Sequence, residues 1–200
     1  MDILLPKYYS DYGKYINQFR AFPFLYDGLK MVERRLLYTL FLVAKDKNVK
    51  SANIVGHCMA HYHPHGDSSI YMSLVSLVNY NLAVGQGNWG SSFGVSENPA
   101  AAYRYTEVKS SKKILKDVFE FIDRVPFKEL ELDAEPLFLP TKFPICLLNT
   151  SFLCMGMGFG YKTTIPFYKE EDLLKRLDWL VNKTEKEPII KPVTDCINLS

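Results

Sequence analysis

Apolar residues between Leu29 and Val43 recur at spacings of three and four positions, which is the repeat of one helical face. Lys30, Glu33 and Arg34 fall on the opposite face of that helix. The pattern therefore predicts a helix that packs on one side and presents charge on the other. Further helical patterns cover Asp11 to Gln18, Ser110 to Val125 and Lys169 to Val181.

Two short helices joined by a tight turn are predicted after Lys50. Ser51 is suited to cap the start of the first helix, which ends near Tyr62. Pro64-His65-Gly66 forms a turn into the second helix, which begins at Asp67 or Ser68. This arrangement is typical of a helix-turn-helix.

Strand patterns follow in the middle of the chain. The stretch from Gly85 to Gly94 lacks the Lys-Ser/Thr pair of a phosphate-binding loop, so its glycines favour a tight hairpin. Ala100 to Val108 has the composition of a strand, and the two stretches together predict a hairpin or wing. Glu129 to Pro140 alternates acidic and apolar residues, which predicts one half-exposed strand with a solvated acidic edge.

The mixture of helical and strand patterns predicts the α+β fold class. Prolines at positions 126, 136, 140 and 144 favour a domain boundary at Val125 to Lys128. We therefore expect one domain over residues 1–125 and a second over residues 126–200.

Composition narrows the class of protein. A chain of 200 residues that is 48% hydrophobic can bury a substantial core. Since no stretch approaches the roughly 18 uninterrupted apolar residues of a membrane helix, we expect a soluble, cytoplasmic protein without a membrane partner. The four cysteines form no CxxC pair, so reduced thiols are expected.

Charge is unevenly distributed along the chain. Residues 1–113 contain 13 Lys and Arg against 8 Asp and Glu, whereas residues 114–200 contain 11 against 14. The segment from Ser51 to Tyr103 has no Lys or Arg. Any nucleic-acid contact in that segment must therefore use backbone N–H groups, helix N-termini, hydroxyls or histidines.

All four histidines lie within nine positions, at His57, His61, His63 and His65. His57 and His61 have the i, i+4 spacing of zinc-binding helices, but HCMAH lacks the glutamate of the hydrolytic HExxH motif. A second interpretation is that HPHGDS forms a turn and helix start that binds a phosphate, with His63 and His65 as additional donors. Both interpretations stay open at this point.

Arg104-Tyr105 is a candidate for covalent chemistry. A tyrosine with its ordinary pKa of about 10 is neutral at pH 7, so a nucleophilic role requires a base, a metal or a neighbouring cation. Arg104 supplies a cation that can also stabilise a phosphate under attack. Because the chain has 13 tyrosines, packing is the ordinary role for any one of them.

Eight short motifs, in a fixed order along the chain, carry a resemblance to a known family that no single residue carries. They are RAFP from Arg20, DGLKMV from Asp27, RRLLY from Arg34, KSANIVG from Lys50, YHPHGDS from Tyr62, GQGNWG from Gly85, AAAYRYTE from Ala100 and LPTKFP from Leu139. In these blocks the chain resembles the breakage-reunion subunit of bacterial type IIA DNA topoisomerases, the gyrase A and topoisomerase IV C-subunit family.

The resemblance implies a fold and a set of site residues. It implies a winged-helix domain over residues 1–125, with a helix-turn-helix and a β-wing, and then the first part of a tower-like α/β domain over residues 126–200. The catalytic residues would be Tyr105 as nucleophile, Arg104, Arg20 and His65. The DNA-binding residues would be Lys30, Arg34, Arg35, His63, Gly66, Asp67, Ser68, Gln86 and Asn88.

The same resemblance implies the reaction and the partners. Tyr105 would open a DNA strand and form a 5′-phosphotyrosyl link, as half of a transient double-strand break. No metal site is expected in this chain, and a partner subunit with ATPase and TOPRIM domains would hold Mg²⁺ and use ATP. The assembly would be a homodimer or heterotetramer on double-stranded DNA, and a further chain could complete the tower and exit gate.

Because the sequence departs from the family pattern at some positions, two other functions stay open. The family's run with an intercalating isoleucine is replaced here, and Leu153 or Cys154 corresponds to that isoleucine. One alternative is a winged-helix module that binds DNA or a partner without cutting. Another is a zinc-binding protein that uses the cluster from His57 to His65.

Overall fold

A computed structural model describes residues 4–91, 98–131, 133–148, 155–183 and 186–193. The α-helices are α1 (Leu4–Ile16), α2 (Met31–Val43), α3 (Ser51–His61), α4 (Asp67–Asn79), α5 (Lys112–Phe119) and α6 (Glu170–Asn182). A π-helical turn (Asn17–Ala21) extends α1, and 3-10 turns lie at Ile122–Arg124 and Ile145–Leu147. Among these helices, none is both long and apolar enough to cross a membrane.

The strands are short and form three small antiparallel sheets. They are β1 (Val49–Lys50), β2 (Ala83–Gln86), β3 (Glu107–Ser110), β4 (Phe127–Glu129), β5 (Ala134–Pro136), β6 (Met155–Met157) and β7 (Lys162–Thr164). The first sheet has the order β1-β3-β2, and β4-β5 and β6-β7 are hairpins. The described part of the chain therefore combines helices and sheets, as the α+β prediction requires.

The chain divides into two compact units, of which the larger is Lys30–Lys142. Its helices α2, α3 and α4 pack on one another, and α2 and α4 also contact the three-stranded sheet. The apolar side chains at the centre of this packing are fully buried. Their central residues are Leu36, Leu37, Leu40, Ile54, Ile70, Leu74, Leu77 and Val108.

The other compact unit combines Met1–Leu29 with Phe143–Ser200. Within it the carboxamide of Asn17 donates to the carbonyl of Phe159 and accepts from the Phe159 N–H. Gly28 has a φ of +68°, and a Cβ at this position would lie 2.7 Å from the backbone nitrogen of Cys146. Only glycine allows this close approach of two backbone segments.

Several predicted elements are confirmed. The helical pattern from Leu29 to Val43 forms α2, the two short helices form α3 and α4, and Lys169 to Val181 forms α6. The predicted start of the second short helix at Asp67 is also correct. The predicted domain boundary at Val125 to Lys128 falls inside the larger unit, and the division into two domains stays a prediction.

Other predictions of secondary structure are wrong. Residues 100–106 form a loop with a turn, and the strand begins only at Glu107, because the loop is held by hydrogen bonds outside any ladder. The helix predicted to reach Val125 ends at Phe119, and a 3-10 turn follows. The stretch from Glu129 forms part of the β4-β5 hairpin and not a single strand.

The starts of α2 and α3 differ in detail from the sequence pattern. Lys50, and not Ser51, is the N-cap of α3, because the buried Ser51 hydroxyl is bonded to Thr106. Lys30 and Glu33 are buried and do not lie on an exposed charged face. The Glu33 carboxylate accepts a hydrogen bond from the backbone N–H of Lys30 at 2.7 Å and so caps the start of α2.

Candidate functional site

Tyr105 lies on the turn before β3 with its side chain in solvent, and 66% of the residue is exposed. The guanidinium carbon of Arg104 is 4.9 Å from the centre of the Tyr105 ring. Arg104 lowers the pKa of the Tyr105 phenol, chiefly through a hydrogen bond and secondly through its positive charge. The pair therefore has the accessibility and the electrostatics that a tyrosine nucleophile requires.

Hydrogen bonds to α3 and α4 hold the turn that carries Tyr105. The Tyr71 hydroxyl donates to the carbonyl of Ala101 at 2.5 Å and lies 3.1 Å from the Thr106 hydroxyl. Thr106 donates to the Ser51 hydroxyl at 2.8 Å, and the Ser51 N–H donates to the Thr106 carbonyl at 3.0 Å. Because Ser51, Tyr71 and Thr106 are buried, this network restricts the backbone on both sides of Tyr105.

The start of α4 is joined to the same turn. The Asp67 carboxylate accepts hydrogen bonds from the Ser68 N–H at 2.7 Å and from the Tyr103 hydroxyl at 3.1 Å. These two bonds, in that order, lower the pKa of Asp67, and the bond to Asp67 raises the pKa of Tyr103. Asp67 thus ties the start of α4 to the turn, while Ser68 and the N-cap Gly66 stay exposed.

The glycine-rich stretch is a tight turn beside the Tyr105 backbone. Gly87 and Gly90 have φ of +104° and +75°, and a Cβ on Gly87 would lie 3.3 Å from the Tyr105 carbonyl oxygen. Gln86 accepts a hydrogen bond from the Asn48 carboxamide, and the Asn88 side chain accepts one from the Gly90 N–H. Gln86 and Asn88 therefore have local structural partners, and their predicted contacts with DNA stay predictions.

Arg35 and His63 are brought together by the fold. Arg35 binds both carboxylate oxygens of Glu135, and its Nη1 lies 2.9 Å from His63 Nδ1. The side chains of Arg35 and Glu135 are only 11% and 12% exposed. The prediction that Glu135 belongs to a solvated acidic edge is therefore wrong, and no signal in the sequence identifies its partner on α2.

The remaining predicted site residues differ in exposure. His65 is exposed, and its ring centre is 4.3 Å from that of the buried His63. Arg34 is half-buried on α2. Lys30 is buried, and burial lowers the pKa of its amine against the opposing effect of Glu33.

Arg20 belongs to the other compact unit. It is exposed and lies in the π-helical turn after α1. Its predicted catalytic role stays a prediction. The two candidates for an intercalating residue, Leu153 and Cys154, lie outside the described residues.

His57 and His61 have partners other than a metal. Their rings stack with centres 4.2 Å apart, and His61 Nδ1 lies 3.1 Å from an Asp133 carboxylate oxygen. The pKa of His57 is lowered chiefly by burial and secondly by electrostatic repulsion from the neighbouring His61. Across the ranges that the structure describes, no three His, Cys, Asp or Glu side chains are grouped to hold a metal ion.

Comparisons with known proteins match most of the chain. The family of the DNA gyrase and topoisomerase IV A subunits matches residues 20–194. The gyrase A protein of Clostridium acetobutylicum is 37% identical over 193 residues, which cover 90% of this chain and 22% of that protein. The topoisomerase 4 A protein of Staphylococcus aureus is 41% identical over 170 residues, which cover 79% of this chain and 20% of that protein. The chain thus spans about a fifth of the length of the curated relatives it matches.

Proposed function

The chain belongs to the family of the DNA gyrase and topoisomerase IV A subunits, and we propose that it is the DNA-cleaving part of a type IIA topoisomerase. The observation that supports this most directly is the exposed Tyr105 whose pKa is lowered by Arg104. A phenol that ionises more readily beside a cation is a better nucleophile toward a negatively charged phosphodiester.

In the proposed reaction Tyr105 exchanges one phosphoester bond for another. Its phenolic oxygen forms a bond to phosphorus, and the bond from phosphorus to the 3′ oxygen of the DNA breaks. The phenol loses its proton, and the departing 3′ oxygen gains one. The resulting 5′-phosphotyrosyl ester keeps the energy of the phosphodiester, so the 3′ hydroxyl can attack it and reseal the strand.

The chain's own residues have distinct roles in this proposal. Arg104, Arg20 and His65 stabilise the charge on the phosphate or the leaving oxygen. The exposed start of α4, with Gly66 and Ser68, offers N–H groups and a hydroxyl to the DNA backbone. Lys30, Arg34, Arg35, His63, Asp67, Gln86 and Asn88 belong to or support the DNA-binding surface.

Mg²⁺ and ATP belong to a partner subunit in this proposal. The Asp67 carboxylate at the start of α4 is engaged in hydrogen bonds with Ser68 and Tyr103. A TOPRIM domain of the partner would hold Mg²⁺, which would stabilise charge on the phosphate. ATP would be hydrolysed by the partner to drive strand passage.

The finer architecture is also part of the proposal. We assign α2, α3 and α4 with the sheet β1-β3-β2 to a winged-helix domain within residues 1–125. The later residues, 126–200, would begin a tower-like domain. The working assembly would be a homodimer or heterotetramer in the cytoplasm, with one Tyr105 on each strand of double-stranded DNA.

Covalent trapping tests the proposed function. The chain is mixed with an ATPase/TOPRIM partner, Mg²⁺ and supercoiled DNA, and complexes are trapped by denaturant. We expect protein attached to DNA for the parent chain and none for Tyr105→Phe. The proposal is wrong if the parent forms no adduct or if Tyr105→Phe forms as much.

A non-cleaving binding module is the second candidate. It is favoured by the lack of Lys and Arg between Ser51 and Tyr103, which weakens the attraction for the DNA backbone next to Tyr105. This candidate predicts that the parent binds DNA or the partner when binding is measured without denaturant, and that denaturant traps no covalent adduct. Equal binding by the parent and Tyr105→Phe, with no adduct from either, would favour it.

A further inference from the structure

Glu135, Arg35 and His63 form a continuous hydrogen-bonded chain of a carboxylate, a guanidinium and an imidazole. Glu135 accepts from Arg35 Nε at 2.5 Å and from Nη2 at 2.8 Å. The third contact joins Arg35 Nη1 to His63 Nδ1 at 2.9 Å. His63 is 7% exposed, so all three groups lie in a largely dry environment where such bonds are strong.

The chemistry of the guanidinium sets the direction of the bond to His63. Arginine stays protonated in proteins and can only donate hydrogen bonds. His63 Nδ1 must therefore accept. A neutral imidazole that accepts through Nδ1 carries its proton on Nε2 and can donate only from there.

Glu135 controls the orientation of that donor. A bidentate carboxylate holds the guanidinium plane in one position and so aims the Nη1–H bond. Its negative charge also offsets the cation that Arg35 would otherwise leave buried beside the imidazole. The carboxylate thus acts on His63 through Arg35.

We propose that Glu135 and Arg35 are positioning residues that hold His63 as an Nε2–H donor for a DNA phosphate. The inference rests on the proposed function, because it is the DNA backbone that makes this tautomer useful. Phosphate oxygens only accept hydrogen bonds, so the protonated Nε2 is the nitrogen that can bind them. Arg35 thereby acts behind the DNA surface and not on it.

Nitrogen NMR of the imidazoles tests the tautomer on the chain alone, without DNA or a partner. The chain is labelled with 15N-histidine, and the signals of His63 are assigned by their loss in His63→Gln. We expect a protonated Nε2 and an unprotonated, hydrogen-bonded Nδ1. A proton on Nδ1 in the parent overturns the inference.

Variants show whether Arg35 and Glu135 cause this state. Arg35→Met combined with Glu135→Met removes both charges together, which avoids leaving one charge buried alone and is compatible with folding. The His63 Nδ1 signal should shift in the double variant and shift partway in Glu135→Gln. Glu129→Gln removes the same charge from the exposed strand of the same hairpin and should leave the signal unchanged. A signal that is identical in the parent and the double variant overturns the inference.

Covalent trapping separates this inference from the proposed function. Glu135→Gln should form the DNA adduct roughly tenfold more slowly than the parent, whereas Glu129→Gln should stay within about twofold. Equal rates for Glu135→Gln and the parent overturn the positioning role. A parent chain that forms no adduct overturns the proposed function, and the nitrogen signals then still decide the state of His63.

Discussion

Tyr105 illustrates how one neighbouring residue changes the chemistry of another. An isolated phenol is almost fully protonated at neutral pH. Arg104 lies over the Tyr105 ring and lowers the pKa of its hydroxyl through a hydrogen bond and a charge. Both groups are exposed, so the effect depends on this direct contact and not on burial.

Replacing Arg104 should raise the pH at which Tyr105 ionises. Because the guanidinium favours the phenolate, Arg104→Gln should move the pKa of Tyr105 up toward the ordinary value of about 10. The difference in ultraviolet titration between each chain and its Tyr105→Phe counterpart isolates this one tyrosine. Superimposable difference titrations with and without Arg104 would contradict the assignment.

Tyr71 should contribute to stability through its hydroxyl. Tyr71→Phe keeps the ring but removes the bridge between Ala101 and Thr106, so unfolding should become easier by about 1–3 kcal/mol. Urea denaturation measures the change. Tyr9→Phe, on an exposed tyrosine, is the matched control and should change the free energy of unfolding by less than about 0.5 kcal/mol. Equal effects of the two variants would contradict the role of the Tyr71 hydroxyl.

At the level of elements, glycine is dispensable at one position inside helix α3 but necessary in the glycine-rich turn. Gly56 lies inside α3, where an added Cβ would meet nothing within 4 Å. Gly90 has a φ of +75°, and an added Cβ would lie 2.5 Å from the Asn98 carbonyl oxygen. The same substitution should therefore have opposite effects at the two positions.

Alanine at these two glycines tests that contrast. Gly56→Ala should stabilise the fold by about 0.5–1 kcal/mol, because alanine is the better helix former. Gly90→Ala should destabilise it by about 1–3 kcal/mol, because the backbone is in the left-handed region and the added carbon has no space. Thermal or urea unfolding of both variants provides the measurement. Changes of the same sign at both glycines would show that the turn is not as described.

At the level of the whole chain, the larger compact unit carries its own core. The packed residues of α2, α3, α4 and β3 all belong to Lys30–Lys142. The other compact unit joins the two ends of the chain, Met1–Leu29 and Phe143–Ser200. Arg20 belongs to that unit.

A fragment that covers Lys30–Lys142 should fold cooperatively by itself. Its buried leucines come from this segment alone, so the apolar surface can be removed from water without the rest of the chain. Urea denaturation followed by circular dichroism should show one transition. In that fragment Leu40→Ala should lower the free energy of unfolding by about 2–5 kcal/mol. A gradual, non-cooperative change would show that the unit depends on the remaining chain.

The apolar spacing between Leu29 and Val43, the turn at Pro64 and the start of α4 at Asp67 were predictable from sequence because they depend on near neighbours. The ordered blocks around HPHGDS and AAAYRYTE likewise placed the chain in its family. The bent loop before Glu107 and the burial of Lys30 and Glu33 were not predictable in this way. The loop is held by Tyr71, which is distant in the sequence from the loop. Glu33 is turned inward to cap the backbone N–H of Lys30, a contact that the apolar spacing does not indicate.

Local patterns in the amino-acid chain therefore account for most helices, the α+β class and the family. The resemblance to that family is what made Tyr105 with Arg104 the candidate. Only the tertiary structure shows that Glu135 binds Arg35 and that Arg35 contacts His63. It alone also shows that the Tyr71 hydroxyl bonds to the loop before Tyr105. The physical reason is separation along the chain. Helical periodicity and turn chemistry act over a few residues, whereas a buried ion pair between positions 35 and 135 forms only after the apolar core has brought its two segments together.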